Sequence, residues 1–554
     1  ALGFATEATG SNNWAVSGSR SATGQPLFAG DPHLPPSMPG ITYQLGLYLG
    51  DRFCRGASFP GRIGIAFGQN NDLAWSLTNV LADVMDVFVE RIADDSYEFD
   101  GGRLPLEVTE EEIAVRGRAE PELVRVRSTH HGPIVNEALR ADPAEPLALR
   151  WSALDLTAVT VASLGVLEVS SGAELVASLE AHNAPVSNLV WADRHGSIGY
   201  KTIGRVPIRR GDRPDLPKPG WTGEYEWDGW VPYSELPELT DPEDGFLVTA
   251  NNRIAGDDYP HHLTSDYLDG YRARRIEDLL AAGDEHDLDG FSAIQRDLYS
   301  IPGIETAHRL ARLGEASDRV GLGQREIAAI ERLRSWDGLM HPDSVAATIY
   351  QAFTLRLGRH FAREAIGDRD LAERWLDRAD NGFSTHVSSP WRWQSHLLAL
   401  WEEGDDGLVG RAWDDLAIDA LRGALDDLSD RFGADPLGWR WGTVHALEFP
   451  HALGEAHPLA ARIFNRRLEV GGAQETVTQV GWDPHSPYRV IWAPAWRMVA
   501  DPCHPERSRW SQFTGQSGHV ASPHYDDLQP RWRDGQTQPM AGEGPWETLE
   551  LLPA

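Results

Sequence analysis

The chain is poor in lysine, cysteine and methionine. Its 554 residues include 2 Cys and 5 Met, and lysine occurs only as Lys201 and Lys218. Positive charge is therefore nearly all arginine, and it is outnumbered. Fifty basic residues against 83 acidic ones leave a net charge of −33. That sign argues against nucleic acid and anionic membranes as partners, since both need a basic face. It fits a saline habitat or a GC-rich genome, and acidity also keeps a large protein soluble. Cys54 and Cys503 lie far apart, which leaves open one disulfide or two free thiols. With no Cys-x-x-Cys pair, a zinc ribbon is excluded. No run approaches the roughly 18 apolar residues of a membrane span. The opening Ala1-Leu2-Gly3-Phe4 has neither the basic start nor the apolar stretch of a signal peptide. The chain reads as beginning inside a longer precursor. Several catalytic signatures are missing too. Gly515-Gln516-Ser517-Gly518-His519 fails as a nucleophile elbow at its last position. There is no His-Glu-x-x-His and no phosphate-binding Gly-x-x-x-x-Gly-Lys.

The hydrophobic pattern changes along the chain. Residues 1–10 read as a loose spacer, and 11–280 carry most of the strand signals. Ile63–Gly68, Val87–Ile92 and Asn188–Asp193 read as strands, the last joined to Gly199–Lys201 by the turn Arg194-His195-Gly196. Residues 281–435 are mainly helical. Val345, Ile349, Phe353, Leu357 and Phe361 recur every four positions, with Asp343 or Ser344 placed to cap the helix. Asp414–Phe432 reads as a second amphipathic helix. Residues 436–554 return to strands and loops. This order predicts an α+β body with a helical insertion. Asp284–Gly290 lacks EF-hand spacing and reads as the start of a helix. His130-His131-Gly132-Pro133 reads as a structural strand end.

Ser11 stands in Ala8-Thr9-Gly10-Ser11-Asn12-Asn13-Trp14, and His33 follows in Gly30-Asp31-Pro32-His33-Leu34. A serine hydroxyl is a weak nucleophile until a base takes its proton. A free N-terminal amine, with a pKa of about 7.7–8.0, can be that base. Cleavage of Gly10–Ser11 would create one at Ser11, and small Gly10 leaves room for Ser11 to attack the preceding carbonyl. With residues 1–10 attached, Ser11 has an amide nitrogen and no base, so that form is expected to be an inactive precursor.

The Ser11 and His33 segments are joined by Phe67-Gly68-Gln69-Asn70-Asn71-Asp72, Leu73-Ala74-Trp75-Ser76-Leu77-Thr78-Asn79 and Thr249-Ala250-Asn251-Asn252-Arg253. Gly270-Tyr271-Arg272 and Ser522-Pro523-His524-Tyr525-Asp526-Asp527 complete the pattern. Together these resemble the nucleophile-bearing larger chain of the penicillin acylase family, a branch of the N-terminal nucleophile (Ntn) hydrolases, over nearly the whole chain. The resemblance implies a four-layer αββα sandwich. It implies Ser11 as nucleophile, the Asn251 side chain and the Asn79 backbone N–H as oxyanion donors, and Arg272 as the residue that positions Asn251. It places His33 beside the serine amine, where some relatives carry Gln. His there favours an aliphatic or broader acyl pocket over a strict phenylacetyl one.

The resemblance also implies a structural calcium ion. Asp83, Met85, Asp86, Pro214 and Asp266 fall at its ligand positions, with one further ligand from a smaller chain cut from the same precursor. Six to eight oxygens of this kind suit Ca²⁺. The expected partners are that smaller chain and a small N-acyl amide, in a periplasmic or secreted setting. Penicillins and N-acyl-homoserine lactones are the two leading substrate classes. The rival from another class is an unprocessed, non-catalytic binding or assembly protein.

Overall fold

The computed structural model describes residues 10–541, except 63, 140–141, 143, 155–164, 212–215, 266, 316–320, 377–393, 405–406 and 484–485. Strand Gly10–Val16 is buried at all seven positions. A strand covered on both faces needs no polar alternation. On one side it pairs antiparallel with Leu27–Leu34, Gly10 opposite His33 and Ser11 opposite Pro32. On the other side Phe246–Thr249 pairs only as far as Asn13↔Thr249. That edge of Gly10, Ser11 and Asn12 is therefore left to the segment that follows Thr249.

These strands belong to an eight-stranded sheet that runs on through Trp496–Ala500, Arg509–Gln512 and Gln538–Pro539. A seven-stranded sheet has Ser187–Asp193 and Leu73–Asn79 at its centre. The two sheets pack face to face. Ala15 and Phe28 of the first meet Ala74, Val190 and Ala192 of the second. Gly30 allows the approach, because a Cβ there would lie 2.7 Å from the Ser76 Cβ. Side chains alternate along a strand, so Trp14 and Val16 point the other way. There they pack on Ile276, Leu280 and Phe291 of helices Tyr271–Ala281 and Leu288–Ile294. The outer face of the second sheet offers Trp75, Leu189 and Trp191 to Leu175 and Leu179, of helix Gly172–Ser178 and its C-terminal end. The result is helix, sheet, sheet, helix, as the resemblance implied.

The helical segment follows its sequence pattern. Helix Val345–Ile366 is capped by Ser344, whose side chain accepts from the Ala347 N–H. Ile349, Phe353 and Leu357 are buried, with Val345 and Phe361 at the margin, against Leu416, Leu421 and Leu425 of helix Trp413–Phe432. Removing a side chain such as Phe353 would cost about 3–5 kcal/mol. Asp287 caps Leu288–Ile294, so the Asp284–Gly290 stretch is indeed a helix start.

The strand expected over Ile63–Gly68 forms only from Phe67. Gly64 has φ of +85°, which breaks an extended run, and residue 63 lies outside the described residues. The hairpin Ser187–Asp193/Ile198–Ile203 forms as expected. Its turn is closed by Asp193 Oδ1, which accepts from the His195 and Ser197 N–H groups. Cys54 and Cys503 are free thiols, and burial pushes the Cys54 thiol up to about 12. Among the described residues no helix is long and apolar enough to cross a membrane.

Candidate active site

Ser11 lies at the open edge left where Phe246–Thr249 stops pairing. The chain turns back just beyond Thr249, and Asn251 takes a left-handed conformation with φ of +63°. Asparagine tolerates that region better than most residues. The turn aims the Asn251 amide at Ser11. Asn251 Oδ1 accepts from the Ser11 N–H at 2.8 Å, and Asn251 Nδ2 donates to the Asn79 carbonyl at 2.8 Å. One hydrogen of that amide remains for another acceptor. The Ser11 hydroxyl donates to the Gly10 carbonyl oxygen at 2.6 Å, beside the bond that cleavage would break.

Arg272, buried at 2% exposure in the first turn of Tyr271–Ala281, locks this arrangement. Its Nη1 donates to the Ser11 carbonyl (3.0 Å) and Asn12 Oδ1 (2.6 Å). Its Nη2 donates to the Ala250 carbonyl (2.7 Å) and Asn251 Oδ1 (2.9 Å). Burial lowers its pKa to about 9 against the opposing pull of Asp31, so it stays charged at neutral pH. The fork geometry of guanidinium serves four acceptors from two nitrogens, which an ammonium cannot do.

His33 is fully buried on the neighbouring strand, opposite Gly10, the residue before Ser11. Its Nδ1 lies 2.6 Å from Gln479 Oε1, and its Nε2 lies 3.1 Å from Asp31 Oδ2. Burial lowers its pKa, against the opposing pull of Asp31. A Cβ on residue 10 would lie 1.5 Å from Gln479 Oε1 and 2.9 Å from His33 Nδ1. A side chain at position 10 would thus have to push the Gln479 amide away from His33.

The structure therefore brings together Ser11, Asn79, Asn251 and Arg272, with His33 paired opposite Gly10, the residue before the nucleophile. Sequence reasoning gave no role to Asn12, Asp31 or Gln479. Asn12 Nδ2 donates to the Val477 carbonyl at 2.8 Å and lies 3.4 Å from Asp31 Oδ2. Arg497 Nε lies 3.7 Å from Asp31 Oδ1. Asn12 and Asp31 stood inside the quoted motifs. Gln479 and Arg497 are hundreds of residues away in sequence and had no local signal.

The calcium positions behave differently. Pro214 and Asp266 lie outside the described residues. Asp83, Met85 and Asp86 sit at the start of strand Met85–Val89, with the Met85 side chain half-exposed. The Asp86 carboxylate, 1% exposed, accepts from Lys218 Nζ, from Arg209 Nε at 2.9 Å and from Trp227 Nε1. Arg209 Nη2 also donates to the Asp83 carbonyl at 2.7 Å. A dication ligated by Asp86 would have to displace the Lys218 and Arg209 cations that already hold its oxygens. Asp83 and Asp86, as placed here, do not fit a calcium ion. Among the described residues, His130, His131 and Glu226 have metal-ligand spacing. Both His131 ring nitrogens are already engaged, by Glu90 (2.7 Å) and Glu226 (2.9 Å).

Known proteins share this architecture and sequence. The Penicillin amidase family model matches residues 3–544. Penicillin acylase 2 proenzyme of Pseudomonas sp. (strain SE83) is 34% identical, over 98% of this chain and 69% of its own length. Acyl-homoserine lactone acylase QuiP of Pseudomonas aeruginosa is 30% identical, over 95% of this chain and 66% of its own. The chain thus spans about two thirds of the length of these relatives. The thermostable penicillin G acylase of Alcaligenes faecalis superposes with a TM-score of 0.75 at 19% identity, covering 98% of this chain and 100% of that one. That likeness shows a shared Ntn-hydrolase fold. On the sequence matches, the chain belongs to the penicillin amidase family.

Proposed function

We propose that this chain hydrolyses the amide bond of small N-acyl compounds, with Ser11 as nucleophile after self-cleavage of Gly10–Ser11. The observation that carries this reading is the bridge made by Asn251 between the Ser11 nitrogen, Arg272 and the Asn79 carbonyl. In the uncut chain the Ser11 hydroxyl attacks the Gly10 carbonyl carbon, the Gly10–Ser11 C–N bond breaks to leave an ester and free the Ser11 amine, and water then hydrolyses that ester to the Gly10 carboxylate and the free Ser11 hydroxyl. That amine then takes the hydroxyl proton during turnover. Attack on the substrate carbonyl gives an oxyanion, held by the remaining Asn251 Nδ2 hydrogen and the Asn79 N–H. Such donors lower the barrier because they are aimed before charge develops. The protonated amine product leaves, and water releases the acid from the acyl ester.

The substrate joins an acyl group to a compact amine. A penicillin is the first choice, and an N-acyl-homoserine lactone is the second because a relative at 30% identity is named for that activity. A cavity lined by Tyr200, Leu247, Thr249, Asn252 and Tyr259 lies beside the Asn251 turn, and Ser11 is not among its lining residues. The partner is a smaller chain from the same precursor, and the setting is periplasmic or secreted, both by kinship. The test is intact mass and N-terminal sequencing of the product made from the full precursor, beside Ser11→Ala. A fragment that starts at Ser11, absent in Ser11→Ala, is expected. A stable product with the Gly10–Ser11 bond intact would overturn the reading in favour of an unprocessed binding protein.

A further inference from the structure

We propose that Lys218, together with Arg209, supplies from within this chain the positive charge that a structural calcium ion was expected to bring. A metal at this place would tie remote segments together through carboxylates. Here two side-chain cations do so. Lys218 lies in Lys218–Pro219, which runs parallel to Met85–Val89 with Lys218 opposite Phe88. Its ammonium donates to Asp86 Oδ1, and its side chain is 1% exposed. Arg209 approaches from a third segment, Pro207–Arg209, and takes Asp86 Oδ2 with its side chain 6% exposed. Trp227 adds a fourth, through its indole N–H to Asp86.

Asp83 is drawn into the same knot. Arg209 Nη2 lies 3.4 Å from Asp83 Oδ1, and His262 Nε2 lies 3.4 Å from Asp83 Oδ2. Of the described carboxylates, Asp86 is thus fully engaged, and Asp83 lies 3.4 Å from both Arg209 and His262, with its Oδ2 left without a hydrogen bond. A second observation shows that lysine here is no surface accident. The other lysine of the chain, Lys201, is also 1% exposed, and its ammonium lies 3.0 Å from Glu238 on the adjoining strand. In a sequence with arginine at nearly every other basic position, lysine is kept for buried ties between segments. A compact ammonium suits one buried carboxylate oxygen, whereas the guanidinium fork spans two groups, as Arg209 does.

The test uses protein processed from the full precursor, and its readouts do not depend on the proposed amide hydrolysis. Bound calcium is measured by plasma mass spectrometry, and the melting temperature is followed with EGTA and with millimolar calcium. The wild type should carry no stoichiometric calcium and melt at the same temperature in both. Lys218→Met, which keeps the length and removes the charge, should melt several degrees lower. One equivalent of calcium in the wild type, or a lower melting temperature in EGTA, would overturn the proposal. So would Lys218→Met melting with the wild type. If that variant yields no folded protein, the wild-type calcium content and EGTA response decide alone.

Discussion

Replacing Asn251 separates the chemical role of its amide from the strain of its backbone. The side chain makes three contacts: to the Ser11 N–H, Arg272 Nη2 and the Asn79 carbonyl. Each is worth about 1 kcal/mol, so Asn251→Ala and Asn251→Gly should both lose about 3 kcal/mol of stability. Asn251 also sits at φ of +63°. Alanine pays about 1–2 kcal/mol more to stand there, and glycine does not. Asn251→Gly should therefore be the more stable of the two, by about 1 kcal/mol after its greater unfolded-state entropy is counted. Loss of an oxyanion donor costs about 100- to 1000-fold in kcat, or roughly 2.7–4 kcal/mol, and both variants lose it equally. Self-cleavage is followed by gel and mass, turnover with a chromogenic N-acyl anilide, and stability by denaturant melts. If either variant turns over within about tenfold of wild type, the oxyanion assignment is wrong. If alanine and glycine are equally stable, the backbone part of the argument is wrong.

Other expectations follow from the same geometry. Arg272→Lys should keep the charge but, with three donors for four acceptors, leave at least one unserved, costing about 1 kcal/mol or more. It should also slow both self-cleavage and turnover at least about tenfold, and a variant as active as wild type would refute the positioning role. His445 lies buried against the Trp441 ring, with its nitrogens 3.2 and 3.1 Å from the Tyr488 and Val480 carbonyls. Burial lowers its pKa from 6.5 to about 4, although the two carbonyls oppose this. The unfolded chain binds that proton first, so the stability it contributes is complete above pH 6.5 and drains away as pH falls towards about 4. At about 1.4 kcal/mol per pH unit, the loss comes to roughly 3 kcal/mol. Urea melts across that window should show the slope, and His445→Phe should flatten it.

Much of this was legible in the sequence where local pattern decides. The four-residue spacing in Val345–Ile366 and the turn between Ser187–Asp193 and Ile198–Ile203 both formed as read, because each rests on neighbouring residues. The Ser11, Asn251 and Arg272 cluster was legible only through motif resemblance, since 240 residues separate Ser11 from Asn251. Nothing in the spacing pointed to Gln479 against His33, or to Lys218 against Asp86. Those contacts depend on strand register, and the Lys218↔Phe88 pairing is a parallel one across 130 positions. The Ile63–Gly68 run misled because apolar composition outweighed Gly64, whose conformation delays the strand until Phe67.

The burial of both lysines reaches beyond stability. Lys201 and Lys218 are the only side-chain amines in the sequence, and each is 1% exposed. Acylating labels, aldehyde resins and lysine-directed proteases would find no side-chain target on this chain while it is folded. In a chain processed to begin at Ser11, the remaining amine is the α-amine of Ser11 itself. A mild amine-selective reagent would then report on the nucleophile's own nitrogen, and coupling this chain to an aldehyde support would risk the group that catalysis needs.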